Sequence, residues 1–392
     1  MTEDSHSDRL LTRRTVLGTG IGALAAFAAP TSASTTAFDA HKRRHGLPDA
    51  PASRVTARRV WAVRDLGCDP TGGEPIDAKV RNAATPGTTV RFEPGTYRIR
   101  RQINLGSRSN VALTGQGPSA TRFKVDSGVT GIVINAAGGS DVRLTGFTID
   151  QTANNCSANV RLRLKDRPIV ENVTFDGFSD PSDSKKKVVV LVENPGGAGR
   201  IENVRALDGT EVGRPGVNHN RVHKQRYDGG MWIGPPHRGT LYVDNCQFAN
   251  YSDNALYASR TNGGVVVRGG YYANSSISLV RLGHPHSFVG GGVKLEVDPS
   301  KIPQRCNPSG LVQPRCIWFE SGSLGNRGAT IGDVDIRYAS GSPRAQGLIT
   351  IRNDASHARI DGPVSVAKGA TSTPTLNNMA SNVRISNGAI NR

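Results

Sequence analysis

The chain has 392 residues and a formal charge of +17, with 46 Gly, 3 Met and 5% aromatic residues. That length holds one or two domains, the Gly content with few long helical patterns argues for a chain of many turns, and the basic surplus implies attraction to polyanions such as acidic polysaccharide, nucleic acid or anionic lipid. Five cysteines (Cys68, Cys156, Cys246, Cys306 and Cys316) are too few for a disulfide-built scaffold, and no CxxC or Cys/His cluster points to zinc.

At the N-terminus, Arg13 and Arg14 precede Val16, Leu17 and a weakly apolar Gly/Ala run that ends near Ala29. This resembles a twin-arginine export signal with a small-residue cleavage site between Ala33 and Ala37. The run is shorter than the roughly 20 apolar residues a membrane span needs, so the expectation is an exported protein, extracellular or on the cell surface, with no span in the mature chain. Residues 1–37 are expected to be the signal peptide and 38–58 a flexible basic leader. Arg9, Arg13 and Arg14 balance Glu3, Asp4 and Asp8 within the signal, so the positive surplus belongs to the rest of the chain.

Residues 63–99 follow a fixed order. Asp65 and Gly67 make a turn and Gly72-Gly73 a loop. A helix is predicted over 76–84, and Val90 to Phe92 leads as a strand into Pro94-Gly95-Thr96-Tyr97. This order resembles the opening of the pectate-lyase-like superfamily. The resemblance implies an all-β, single-stranded right-handed parallel β-helix over residues 59–392, with a short N-terminal capping helix. A cap is also a physical requirement, because an open solenoid end exposes strand edges and core.

Beyond the cap one coil recurs. Val111-Ala-Leu-Thr-Gly115, Val142-Arg-Leu-Thr-Gly146, Ile169-Val-Glu-Asn172, Arg200-Ile-Glu-Asn203 and Tyr242-Val-Asp-Asn245 stack, with weaker copies near Ile331, Ile360 and Asn387. Asn172, Asn203, Asn245 and Asn387 then share one turn with Gly115 and Gly146. Asn and Gly tolerate positive φ most cheaply, so this column is expected to be structural. Between 227 and 283 the period is clearest. An offset of 25 lays Asp228 on Asp253 and Trp232 on Tyr257, and an offset of 24 lays Leu241 on Val265 and Phe248 on Tyr272. Short strands repeating in the 20s indicate stacked coils. Cys246 falls inside one of these strands and reads as a small core hydrophobe.

Long insertions interrupt the coils at 176–187, 208–230 and 284–314, and such loops are where solenoids build sites. The second insertion carries His219, His223, Lys224, Arg226, Tyr227 and Asp228. One coil apart, Asp228 and Asp253 are separated by about 4.8 Å. Two carboxylates that close repel, which would leave one protonated and suit acid/base sugar chemistry; an Asp before a strand also closes turns. His219, His223 or Tyr227 can serve as a base for elimination on a uronate polymer, while Lys224, Arg226, Arg260 and Arg281 can neutralise its carboxylates. Trp232 and Tyr257 offer aromatic faces beside them. Arg281 is placed one coil beyond Ala258. In the third insertion, Cys306 and Cys316 flank a Pro- and Gly-containing loop that they could staple in an oxidising compartment. Asp176, Asp180 and Asp183 make a faint match to a calcium loop, and no other cofactor is indicated.

The function expected first is a secreted polysaccharide-degrading enzyme, a lyase or glycoside hydrolase, acting on a long and acidic glycan. The alternative is a non-catalytic carbohydrate-binding surface protein, adhesin or viral attachment module. The polygalacturonase motifs (Asn-Thr-Asp, paired Asp, Gly-His-Gly, Arg-Ile-Lys) are absent, which favours the alternative. Specific nucleic-acid binding has only the charge behind it, without interleaved aromatic platforms.

Overall fold

The computed structural model describes residues 32–52, 58–179, 186–212, 228–307, 310–321 and 328–391. From residue 58 onward they wind into a right-handed parallel β-helix. Every strand pair is parallel and joins one coil to the next, in a 21-stranded sheet and a 10-stranded second sheet. The predicted offsets are those of the ladder: Trp232 pairs with Tyr257, Leu241 with Val265 and Phe248 with Tyr272. Alternate side chains of each strand enter a continuous core of Val, Leu, Ile and Phe, and water is excluded from these apolar faces only because the next coil covers them.

The capping helix is present. α2 (Asp77–Ala83) is flanked by Ile76 and Ala84, and Ile76, Val80 and Ala84 are fully buried against the first coils. The asparagine column is also as expected at three rungs: Asn172, Asn203 and Asn245 have φ of 51°, 52° and 52°, and Asn203 Nδ2 donates to Asn172 Oδ1 at 3.2 Å. Gly146 shares the conformation (φ 74°), whereas Asn387 does not; there the neighbouring Gly388 takes the positive φ (69°). Cys246 is buried in the core.

Two expectations require correction. Residues that compose the supposed flexible leader are folded: α1 (Ser32–His45) crosses the 37/38 boundary and lies on the outward face of the large sheet. Phe38 and Leu47 pack there against Tyr242, Val266 and Phe288, Arg268 lies 4.7 Å over the Phe38 ring, and the Tyr242 hydroxyl donates to the Pro48 carbonyl. The polar, basic composition concealed two well-spaced anchors that complete an otherwise exposed apolar strip. Second, no disulfide joins Cys306 to Cys316, and the other three cysteines are in none either. Cys316 points into the core from the strand Arg315–Phe319, while Cys306 donates to the Asp208 carbonyl at 3.2 Å, so the two face different neighbours. Burial pushes the Cys306 thiol up to about 11. Among the described residues no helix is long and apolar enough to cross a membrane.

Candidate functional site

The second sheet contains the strands Lys186–Val192, Gly229–Trp232, Asn254–Ala258, Ser278–Leu282 and Arg315–Phe319 in consecutive coils. Met231, Leu256, Val280 and Ile317 fill one inward column. The alternation of a β-strand then turns Trp232, Tyr257, Arg281 and Trp318 outward in a single column. At about 4.8 Å per coil, the column runs for about 14 Å.

Arg281 is the centre of this column. Its guanidinium lies 4.7 Å from the Tyr257 ring and 3.7 Å from the Trp318 ring. Arg315 approaches the same indole at 4.2 Å. Arg281 Nη2 also donates to Glu320 Oε2 at 2.6 Å, and Arg260, more than half exposed, has Nη2 3.8 Å from Glu320 Oε1. Arg315 is pushed down to about 10, first by burial and then by the charges of Arg281 and Arg352. Positive charge is therefore concentrated against aromatic faces. Trp318 Nε1, Arg281 Nε and Arg315 Nε are buried N–H groups with no acceptor among the described residues.

The two aspartates precede neighbouring strands of the same sheet and are brought together: Asp253 N donates to the Asp228 carbonyl at 3.0 Å. Gly230 fixes this approach, since a Cβ there would meet the Ala255 carbonyl oxygen at 2.4 Å. The carboxylates do not face one another alone. Lys186 Nζ reaches Asp253 Oδ2 at 2.5 Å, and Asp228 is close enough to Lys187 to favour its charged form. Each aspartate thus has a lysine for a neighbour. Lys187 is fully buried; its Nζ donates to Gln151 Oε1 at 2.7 Å and to the Ala158 carbonyl at 3.1 Å. Burial pushes its ammonium down to about 7, against the pull of Asp228.

Of the predicted residues, Asp228, Asp253, Trp232, Tyr257, Arg260 and Arg281 thus fall on one side of the solenoid. Arg281 sits beneath Tyr257 rather than Ala258. His219, His223, Lys224, Arg226 and Tyr227 lie outside the described residues. Lys186, Lys187, Arg315, Trp318 and Glu320 were missed. The lysines fell at the end of the insertion read at 176–187, whereas the strand already begins at Lys186; a lysine pair entering an apolar run was a usable signal. Trp318 follows the insertion at 284–314, which breaks the period that located the other three. The faint calcium loop gains no support from Asp176, whose carboxylate already accepts from Arg122 at 2.8 Å; Asp180 and Asp183 lie outside the described residues. Among the described residues no three His, Cys, Asp or Glu gather as metal ligands.

No protein-family model matches the chain, and no curated protein is significantly similar to it. Several solved structures are similar. One is the A-module of the mannuronan C-5 epimerase AlgE4 of Azotobacter vinelandii (14% identity, 83% of this chain and 100% of that one, TM-score 0.39). Another is an alginate lyase from Paenibacillus sp. FPU-7 (12%, 86% and 99%, TM-score 0.33). A third is the Dettilon tailspike protein (12%, 84% and 68%, TM-score 0.39). The likeness is one of coil architecture.

Proposed function

We propose that the protein is exported and acts on a long acidic polysaccharide laid along the outward face of the second sheet, degrading it as a lyase or hydrolase. The observation that carries this reading is the Trp232–Tyr257–Arg281–Trp318 column. A rigid row of aromatic faces interleaved with a cation suits a repeating chain of sugar rings and carboxylates, and the net charge of +17 attracts such a polymer. Asp228 and Asp253, with Lys186, form the adjacent chemical centre, and the second insertion, which carries His219, His223, Lys224, Arg226 and Tyr227, leads into Asp228 in sequence. In this reading a histidine of the second insertion moves the proton and Arg260 neutralises the uronate carboxylate.

A second reading has a specific observation in its favour. Asp253 is ion-paired to Lys186 in a mostly buried setting, as befits a structural carboxylate, so the same face would bind glycan without cleaving it. Incubation with a panel of uronate and neutral glycans, following reducing ends and the absorbance of unsaturated products, separates the two. Turnover abolished by Asp228→Asn supports the enzyme. Saturable binding without turnover, weakened by Trp318→Ala, supports the binder. Binding or turnover indifferent to Trp318→Ala and Arg281→Ala would remove the proposed face altogether.

A further inference from the structure

A separate cleft opens on the outward face of the large sheet, where the end of α1 meets the last coils. Its cavity is about 410 Å³ and its wall includes Arg44 and His45 of the helix with Thr330, His357, Arg359 and Arg384 of the solenoid. That volume lies within the range of small-molecule sites. Arg359 and Arg384 are register partners, one coil apart. Two guanidinium groups at that spacing repel, and Arg44 adds a third from the helix side. One carboxylate answers them: Asp361 Oδ2 accepts from Arg359 Nε at 2.8 Å and from Arg44 Nη1 at 3.3 Å. Arg384 is exposed and its guanidinium has no ion pair among the described residues. Among the described residues the cleft thus brings three permanent cations close to Asp361, together with two imidazoles that can donate hydrogen bonds.

Thr330 ties this wall to the helix. His41 Nδ1 and Thr330 Oγ1 are 3.2 Å apart and His41 Nε2 is 3.2 Å from the His286 carbonyl, so the imidazole donates to the carbonyl and accepts from the hydroxyl. The cleft consequently exists only while α1 is docked, and a ligand bridging Arg44 to Arg384 would hold the helix in place.

We infer that this cleft is a second binding site, distinct from the column on the second sheet, for a small polar molecule of sugar size bearing an oxyanion: a carboxylate, sulfate or phosphate. Guanidinium groups converging from two sides suit the planar or tetrahedral array of oxygens such groups present. The cavity exceeds what a bare anion fills, which calls for a polar body behind the charge.

Calorimetric titration of the full chain with glucuronate, glucose 6-phosphate and glucose, at matched ionic strength, tests the inference. Saturable binding of at least one acid, with none of glucose, is expected, and the tighter acid assigns carboxylate or phosphate as the natural group. Arg384→Ala should weaken binding roughly tenfold or more, with an unchanged circular dichroism spectrum because the side chain is exposed. Arg384→Lys should recover part of the affinity, and Trp318→Ala, on the other sheet, should leave it unaltered. Bound acid should also slow proteolysis within α1. Glucose binding as well as its acids, no saturation by either acid, or full affinity in Arg384→Ala would each overturn the site.

Discussion

Acidification should undock α1 from the solenoid, and His41 sets the size of the effect. Its ring is fully buried, 5.3 Å from Phe288 and 4.6 Å from His45. Burial pushes its pKa from 6.5 to about 4, helped by the facing charges of His45, Arg44 and His286. Undocked, the imidazole regains its ordinary value. A depressed folded value means that docking is fully stable above about pH 6.5 and loses stability as pH falls toward 4. The whole gap is worth about 3 kcal/mol; by about pH 5 roughly 2 kcal/mol of it is lost, an increase of about 30-fold in the fraction of open helix. His45, also lowered to about 4 by burial and by His286, acts in the same direction but is half-exposed and is left out of that figure. Hydrogen exchange of the amides in 36–50, corrected for intrinsic rates, measures the opening equilibrium at about pH 7.5 and pH 5. His41→Gln, which keeps polar contacts and does not titrate, should flatten the dependence. Opening that is the same at both pH values, or an equal slope in His41→Gln, would refute the assignment.

Three further outcomes are expected. Replacing Asp253 with Ala removes the carboxylate from Lys186, whose side chain is 17% exposed, and should lower stability by about 1–3 kcal/mol in urea melts, with Asp253→Asn costing less. Asn203→Ala keeps the β-carbon at φ 52° but loses the amide that makes this conformation tolerable and that donates to Asn172, and should cost about 1–2 kcal/mol, whereas Asn203→Gly should be close to neutral in the same melts. None of the five cysteines is in a disulfide, so denatured protein prepared without reductant should react with five equivalents of thiol reagent, and reductant should leave the Tm unchanged; a Cys306–Cys316 crosslink by mass spectrometry would contradict this.

The parts of the fold visible in the sequence are those governed by local or strictly periodic rules. Helix α2 was legible because a turn, a short amphipathic segment and a Pro-Gly turn occur in order. The coils between 227 and 283 were legible because constant spacing converts directly into vertical register, placing Asp228 beside Asp253 and Trp232 beside Tyr257. Where an insertion intervened, the period failed: Arg281 and Trp318 are 37 positions apart in sequence and one coil apart in space. The docking of α1 was hidden for another reason, since Phe38 and Leu47 find their partners some 200 residues away and nothing in the intervening spacing announces it.

From its sequence alone this chain is committed to stacked parallel coils, a helical lid on the first coil and a structural asparagine turn, because each depends on propensity and on a repeat that propagates without long-range information. Tertiary structure alone decided which charges meet. Lys186 and Lys187 answer the paired aspartates, Glu320 holds Arg281 between two aromatic rings, and α1 closes a cationic cleft with Arg359 and Arg384. Electrostatic partnership depends on distance in space, and in a solenoid with irregular loops that distance is not a function of separation along the chain.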